Sequence, residues 1–161
     1  MKRTPIVRKT AHLRRKSAAK RRRNAEKRKR NREAEDELRA RQDEFLVEFP
    51  HCAYPGCRRE ASEVHEICWG NGIRRLAKLE RCTWLPSCCI HNRSGQGFHS
   101  SACPRTVQFA IKLRLDACHY DRERCNAIQG TAADSISEAD VTAYWVKLSV
   151  DRWGAVTWRA R

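Results

Sequence analysis

Cys52 and Cys57 enclose Ala53-Tyr54-Pro55-Gly56, and Cys88 and His91 enclose Cys89-Ile90. A Pro-Gly turn brings two flanking thiols to one side of the chain. The Cys88 and His91 spacing is that of the second half of a two-knuckle zinc site. Zinc takes four tetrahedral sulfur or nitrogen ligands, and two close-spaced pairs on separate turns supply them. The chemistry this pattern points to is one structural zinc held by Cys52, Cys57, Cys88 and His91. The plain alternative is a set of unrelated buried thiols beside a surface His, and Cys89 competes with Cys88 for the third place. Cys68 and Cys82 sit among apolar residues and read as core. Cys103, Cys118 and Cys125, with His99 and His119, offer material for a second site but contain no close pair of thiols.

Between the two knuckles stands Glu63-Val64-His65-Glu66-Ile67. Trp84-Leu85-Pro86-Ser87 leads into the second knuckle, and Asn92 follows it. This order resembles the zinc-containing HNH endonucleases over about residues 52–99, of the small phage-type or bacterial kind. The resemblance implies an α+β fold with a zinc-stapled ββα-metal module. It also implies a second, divalent ion (Mg²⁺ or another) beside the zinc, and hydrolysis of phosphodiester bonds in DNA. In that family a strand His is the general base toward water. A neighbouring His or acid binds the divalent metal, together with a His or Asn on the following helix. Carried onto this chain, the catalytic residues are His65, Glu66 and Asn92, and the divalent metal falls to His65, Glu63 and Asn92.

Two departures leave the assignment open. The strand has one His, and Glu66 takes the place before Ile67 where the family's base stands. Thr83 falls where a central Asn would orient that base. Either His65 is the base and Glu63 or Glu66 helps hold the metal, or His65 binds metal and Glu66 is the base. The second choice requires a raised carboxyl pKa. The plain readings are solvated Glu63 and Glu66, His65 in a hydrogen-bond network, and Asn92 as a helix cap. A non-catalytic, zinc-stabilised nucleic-acid-binding protein is the alternative function. A ribosome- or RNA-associated basic protein is the third.

Arg74, Arg75, Lys78 and Arg81 would clamp phosphates beside such a site, or simply form a solvated face. Trp69 and Trp84 would stack on bases or pack the module. The sequence has no Gly-rich phosphate loop and no Ser-His-Asp arrangement.

The elements that must position these residues follow from the local pattern. Leu38, Phe45, Leu46 and Phe49 predict a helix over about 31–47 that docks on the body and stops before Pro50. Residues 51–101 hold six of the nine Cys and four of the six His, with glycines between short apolar runs. That texture predicts a metal-organised module of turns and short elements. Val107, Ile111 and Leu115 predict a helix over 104–116 opened by Pro104. Val141, Tyr144, Trp145 and Leu148 predict another over 138–149, capped by Ser137. Residues 127–137 read as a loop around Gly130, and Trp153, Val156 and Trp158 as a short strand. The resulting organisation is a basic arm (1–32), a docking helix (33–50), the zinc module (51–101) and a helical C-terminal part (102–161).

Charge is distributed unevenly. The chain has 161 residues and a formal net charge of +15, with 16 basic residues and one acid, Glu26, in residues 1–32. The remainder is neutral, with 18 basic and 18 acidic residues. A like-charge block such as Lys20-Arg21-Arg22-Arg23 repels itself and favours disorder when free, and helix on a polyanion. DNA is the partner the resemblance implies and RNA the other candidate, and the arm alone does not separate them, since counterion release is blind to sequence and sugar. No run of 18 apolar residues is present, and no apolar stretch follows the basic start, so neither a membrane span nor a secretory signal is expected. Nine Cys without such a signal predict a reducing, cytoplasmic setting.

Overall fold

A computed structural model describes residues 6–70, 72–93, 95, 97–130, 135–152 and 154–159, with side chains from Ala19 onward. Six helices and two small antiparallel hairpins make up an α+β fold among these residues. The chain divides into two compact units, 1–40 and 41–161.

The first helix, α1, spans Ile6–Glu48. No Gly or Pro occurs between Pro5 and Pro50, and Ala, Arg, Lys, Gln and Glu dominate the interval. Helix propensity therefore runs unbroken through the expected boundary at 32, and no separate docking helix begins there. In the first unit the side chains of residues 19–37, Arg21, Arg22 and Arg23 among them, are exposed.

In the second unit the end of α1 contributes Phe45, which is 1% exposed. Its ring meets Trp84 edge-on at 5.6 Å and Phe49 at 5.0 Å. Strand β1 (Glu63–Glu66) pairs antiparallel with β2 (Trp84–Ser87), with His65 opposite Leu85. Between them lie the short helix α2 (Arg74–Ala77) and a 3₁₀ turn, Arg81–Thr83. Thr83 is fully buried, and its hydroxyl oxygen lies 2.7 Å from the Ala77 carbonyl and 2.9 Å from that of Glu80. The residue standing where an Asn was expected therefore fastens the α2 segment to β2. Helix α3 (Cys89–Arg93) follows β2 directly.

The remaining elements are α4 (Arg105–Leu115), α5 (Arg122–Gln129), α6 (Glu138–Trp145), β3 (Leu148–Val150) and β4 (Val156–Trp158). Ser137 caps α6 by accepting from the Asp140 amide. That helix ends at Trp145, four residues short of the expected end. Leu148 and Ser149 instead pair with Trp158 and Thr157 across a hairpin. The Asp151 turn closes it, with Gly154 at φ 81° and the Ala155 amide donating to Asp151 Oδ1. A hairpin buries Leu148 and Val156 together, which a longer helix would not. Helix α5 reaches into the expected loop as far as Gln129. Asp121 caps its start and Gly130, at φ 77°, terminates it.

One hydrophobic core joins residues 51–101 to residues 102–161. Ile67, Leu85 and Phe98 pack in it with Phe109, Ile111 and Val141. A polar stripe crosses this core along α4. Gln108, Lys112 and Asp116 recur every four residues, and all three are buried. Lys112 Nζ donates to the carbonyls of Arg81 and Trp84 and to Asp116 Oδ2 at 2.7 Å. Arg81 bridges Asp116 at 3.2 Å and Glu48 at 2.7 Å. It is a structural cation and not a phosphate clamp, because its guanidinium joins the end of α1 to that of α4.

Burial alone would raise the Asp116 carboxyl. Hydrogen bonds from Lys112, His119 and Arg81 instead hold it well below the usual carboxylate range. A depressed carboxyl stabilises the fold above its unfolded pKa of about 3.9, and that contribution disappears as pH falls toward the folded value. Asp116→Asn is expected to remove this part of the acid-unfolding slope. It should also cost about 3–5 kcal/mol at pH 7, since it strands Lys112 in the core. Urea unfolding between pH 2 and 7 reads both effects, and parallel wild-type and variant curves would contradict the assignment.

Candidate functional site

The Pro55-Gly56 turn and the β2–α3 junction face each other. The Cys57 amide closes the turn on the Tyr54 carbonyl, and the Ala53 amide donates to Pro86. These bonds place Cys52, Cys57, Cys88 and His91 so that one ligand atom from each lies within 4.8 Å of all the others. The three thiols are buried, while Cys89 is exposed, so Cys88 takes the third place. His91 Nδ1 stands 3.4 Å from Cys52 Sγ and 3.5 Å from Cys88 Sγ. A tetrahedral zinc with bonds of 2.0–2.3 Å has nitrogen–sulfur edges of about 3.6 Å. The cluster is thus consistent with a structural zinc site whose four positions are all protein ligands. Tyr54 stacks on the His91 ring at 4.1 Å and fixes its orientation. A side chain at Gly97 would place Cβ 2.0 Å from the His91 carbonyl oxygen. That close approach lets the Phe98 amide donate to His91 and lays Phe98 over the next group.

That group is His65, only 1% exposed and stacked on Phe98 at 4.6 Å. Burial pushes its pKa down to about 4 despite hydrogen bonds that favour the charged ring. The ring is therefore neutral and carries one N–H. Its Nε2 lies 2.9 Å from Gln108 Oε1 and its Nδ1 lies 3.2 Å from Asn92 Oδ1. Both amide orientations are fixed from outside. Gln108 Nε2 donates to the carbonyls of Phe98 and Cys103, and Asn92 Nδ2 donates to Glu63 Oε2. Glu63 is paired with Arg93 in turn. The one N–H faces two amide oxygens, and it is assigned to the shorter contact, Nε2 to Gln108 Oε1. His65 Nδ1 and Asn92 Oδ1 are then left lone pair to lone pair.

Glu66 does not join this chain, because alternation along β1 turns it away from Glu63 and His65. It is half-buried, and burial raises its carboxyl above the ordinary value against the opposing charges of Arg74, Lys78 and His99. The His99 ring meets the His65 ring edge-on at 5.0 Å and is the residue near both groups. Arg74 and Arg75 are exposed on α2 and Lys78 is half-buried just after it. Trp69 is 57% exposed. Trp84 is core, with its indole N–H on the Lys78 carbonyl, and offers no stacking face.

Of the residues the sequence offered for a second site, only Cys118 and His119 come together, beside Asp116. Cys103 and Cys125 are buried in the core and His99 lies beside His65. Gln108 is the site residue the sequence reading missed. Its signal is a polar residue between Val107 and Phe109 on a helix face that packs, spaced four from another buried polar residue.

No protein-family model, curated protein or solved structure matches the chain. Among the described residues no helix is long and apolar enough to cross a membrane, and all nine cysteines are free thiols.

Proposed function

We propose that the chain is a metal-dependent HNH-type endonuclease that hydrolyses phosphodiester bonds in DNA, on a module stapled by zinc at Cys52, Cys57, Cys88 and His91. The observation that carries this reading is the facing pair of acceptors, His65 Nδ1 and Asn92 Oδ1, 3.2 Å apart. Two acceptors forced together call for a cation. An octahedral ion with bonds of about 2.1 Å has edges of about 3.0 Å between adjacent ligands. His65 and Asn92 would hold such an ion, with Glu63 orienting Asn92 from behind and Gln108 fixing the His65 tautomer. When bound, the ion neutralises charge developing on the scissile phosphate and the leaving oxygen. Glu66 takes the proton of the attacking water through His99, which lies beside both Glu66 and His65, because alternation along β1 turns the Glu66 carboxyl away from the ion. A carboxyl raised by burial suits that task, whereas His65 is enclosed with both ring nitrogens engaged. Arg74, Arg75 and Lys78 hold the flanking phosphates, and the basic arm, including Arg21, Arg22 and Arg23, adds sequence-blind attraction.

Supercoiled plasmid incubated with the purified protein is expected to be nicked when Mg²⁺, Mn²⁺ or Ni²⁺ is added, and to stay intact in chelator. Asn92→Ala should lose nicking while keeping its zinc. Binding without nicking under every metal would replace this reading by the non-catalytic nucleic-acid-binding module, the reading that the burial of His65 favours.

A further inference from the structure

Asp116 closes α4, and residues Ala117–His119 form one 3₁₀ turn after it. The turn folds Cys118 and His119 back onto Asp116. Cys118 Sγ stands 3.3 Å from Asp116 Oδ1 and 3.1 Å from His119 Nδ1, and that nitrogen stands 2.7 Å from Asp116 Oδ1. A sulfur, a nitrogen and an oxygen therefore converge pairwise on one point.

This geometry is not that of a catalytic relay. A nucleophile–His–acid relay uses both ring nitrogens, one for each partner. Here thiol and carboxylate meet the same nitrogen, which carries at most one hydrogen and cannot donate to both. The carboxylate is also held from behind. Its other oxygen accepts from Lys112 at 2.7 Å and Arg81 at 3.2 Å, so Oδ1 is left aimed at Cys118 and His119. Outer partners of that kind are what fix the orientation of metal-bound carboxylates. Cys118 and His119 are exposed and border a cavity of about 580 Å³, whose wall also includes Glu80, Tyr120 and Asp121.

We propose that Asp116, Cys118 and His119 form a further metal site, distinct from both the Cys₃His cluster and the His65–Asn92 pair, that takes a divalent transition ion of the zinc class and keeps one position open toward this cavity. The donor set selects the ion. A thiolate in the donor set suits zinc, cobalt and nickel, whereas Mg²⁺ and Ca²⁺ do not take one. Three protein ligands with a free fourth position are the arrangement of an exchangeable or catalytic ion rather than a structural one. Uptake releases the Cys118 proton to solvent. The resulting thiolate, with Asp116 and Glu48, offsets the charges of Lys112 and Arg81 around the ion.

The test uses the full chain carrying one equivalent of Zn²⁺, titrated with Co²⁺. The expected result is an equivalent of Co²⁺ bound with a thiolate-to-cobalt charge-transfer band in the near ultraviolet, which the sulfur-free His65–Asn92 pair cannot give. Cys118→Ser and His119→Ala replace exposed side chains, so both should keep the first zinc and a cooperative melt, with His119→Ala a few degrees lower for the hydrogen bond that Asp116 loses. Each should lose that equivalent and its band. A wild-type protein that shows no such band beyond the first zinc, or a band that persists in both variants, overturns the proposal. Neither result touches the Cys₃His cluster or the nuclease reading, which have separate readouts in first-zinc retention and plasmid nicking.

Discussion

Cys52→Ser is expected to abolish cooperative unfolding of residues 41–161, or to lower its midpoint by on the order of 20 °C, whereas Cys89→Ser leaves it unchanged. The two cysteines differ in one respect that matters: Cys52 is fully buried in the Cys₃His cluster and Cys89 points to solvent. The buried hydrophobic residues at this cluster are Cys52, Cys57 and Cys88 alone, with Tyr54 packed against them. Apolar burial there cannot hold the knuckles together. A structural zinc contributes about 10–16 kcal/mol in small modules, comparable with the whole net stability of a domain. The damage should spread, because the Ala53 amide ties the first knuckle to Pro86 and the Ser62 amide ties β1 to Ser87. Both strands feed the single core through Ile67 and Leu85. A strong chelator should reproduce the variant's melting curve in the wild-type protein and add nothing to the variant. A Cys52→Ser protein that melts like wild type and ignores chelator would show that no metal staples this fold.

What the sequence made legible were the features fixed by local chemistry. The Cys₃His cluster comes from two short spacings, each set by its own turn. Helix α4 and the Ser137 cap follow from periodicity and a side-chain bond within four residues. The features that escaped depend on contacts far along the chain. Gln108 orients His65 from 43 residues away. Arg81 looked like one more cation beside Arg74, Arg75 and Lys78, and only the approach of Glu48 and Asp116 makes it structural. The C-terminal hairpin failed for a different reason. Leu148 fits both the helix face of Val141, Tyr144 and Trp145 and the strand alternation of Val146, Leu148 and Val150, and the Asp151 turn decides between them. The two candidate bases also looked equivalent in sequence, being adjacent in β1. Burial separates them, since His65 is enclosed under Phe98 while Glu66 stays half-open beside Arg74 and Lys78.

That separation gives the second large effect. Glu66→Gln is expected to slow plasmid nicking by about 10²–10⁴-fold, the range for loss of a general base, with zinc content and plasmid affinity unchanged. The substitution keeps the shape of the side chain and removes only its ability to accept a proton. The pH dependence carries an independent sign. A base must be ionised to act, so the wild-type rate should fall as pH drops through the Glu66 pKa. Burial places that limb above the ordinary glutamate value of about 4.3. In the Gln variant the residual rate should lack the limb. If His65 were the base instead, its pKa of about 4 would put the limb lower, and Glu66→Gln would cost little. His65→Ala is not diagnostic alone, because it also removes a ring packed against Phe98 and a hydrogen bond to Gln108. The Glu66→Gln profile discriminates because neither of those contacts involves Glu66. A variant that nicks within about threefold of wild type, with the acid limb intact, would transfer the base role away from Glu66.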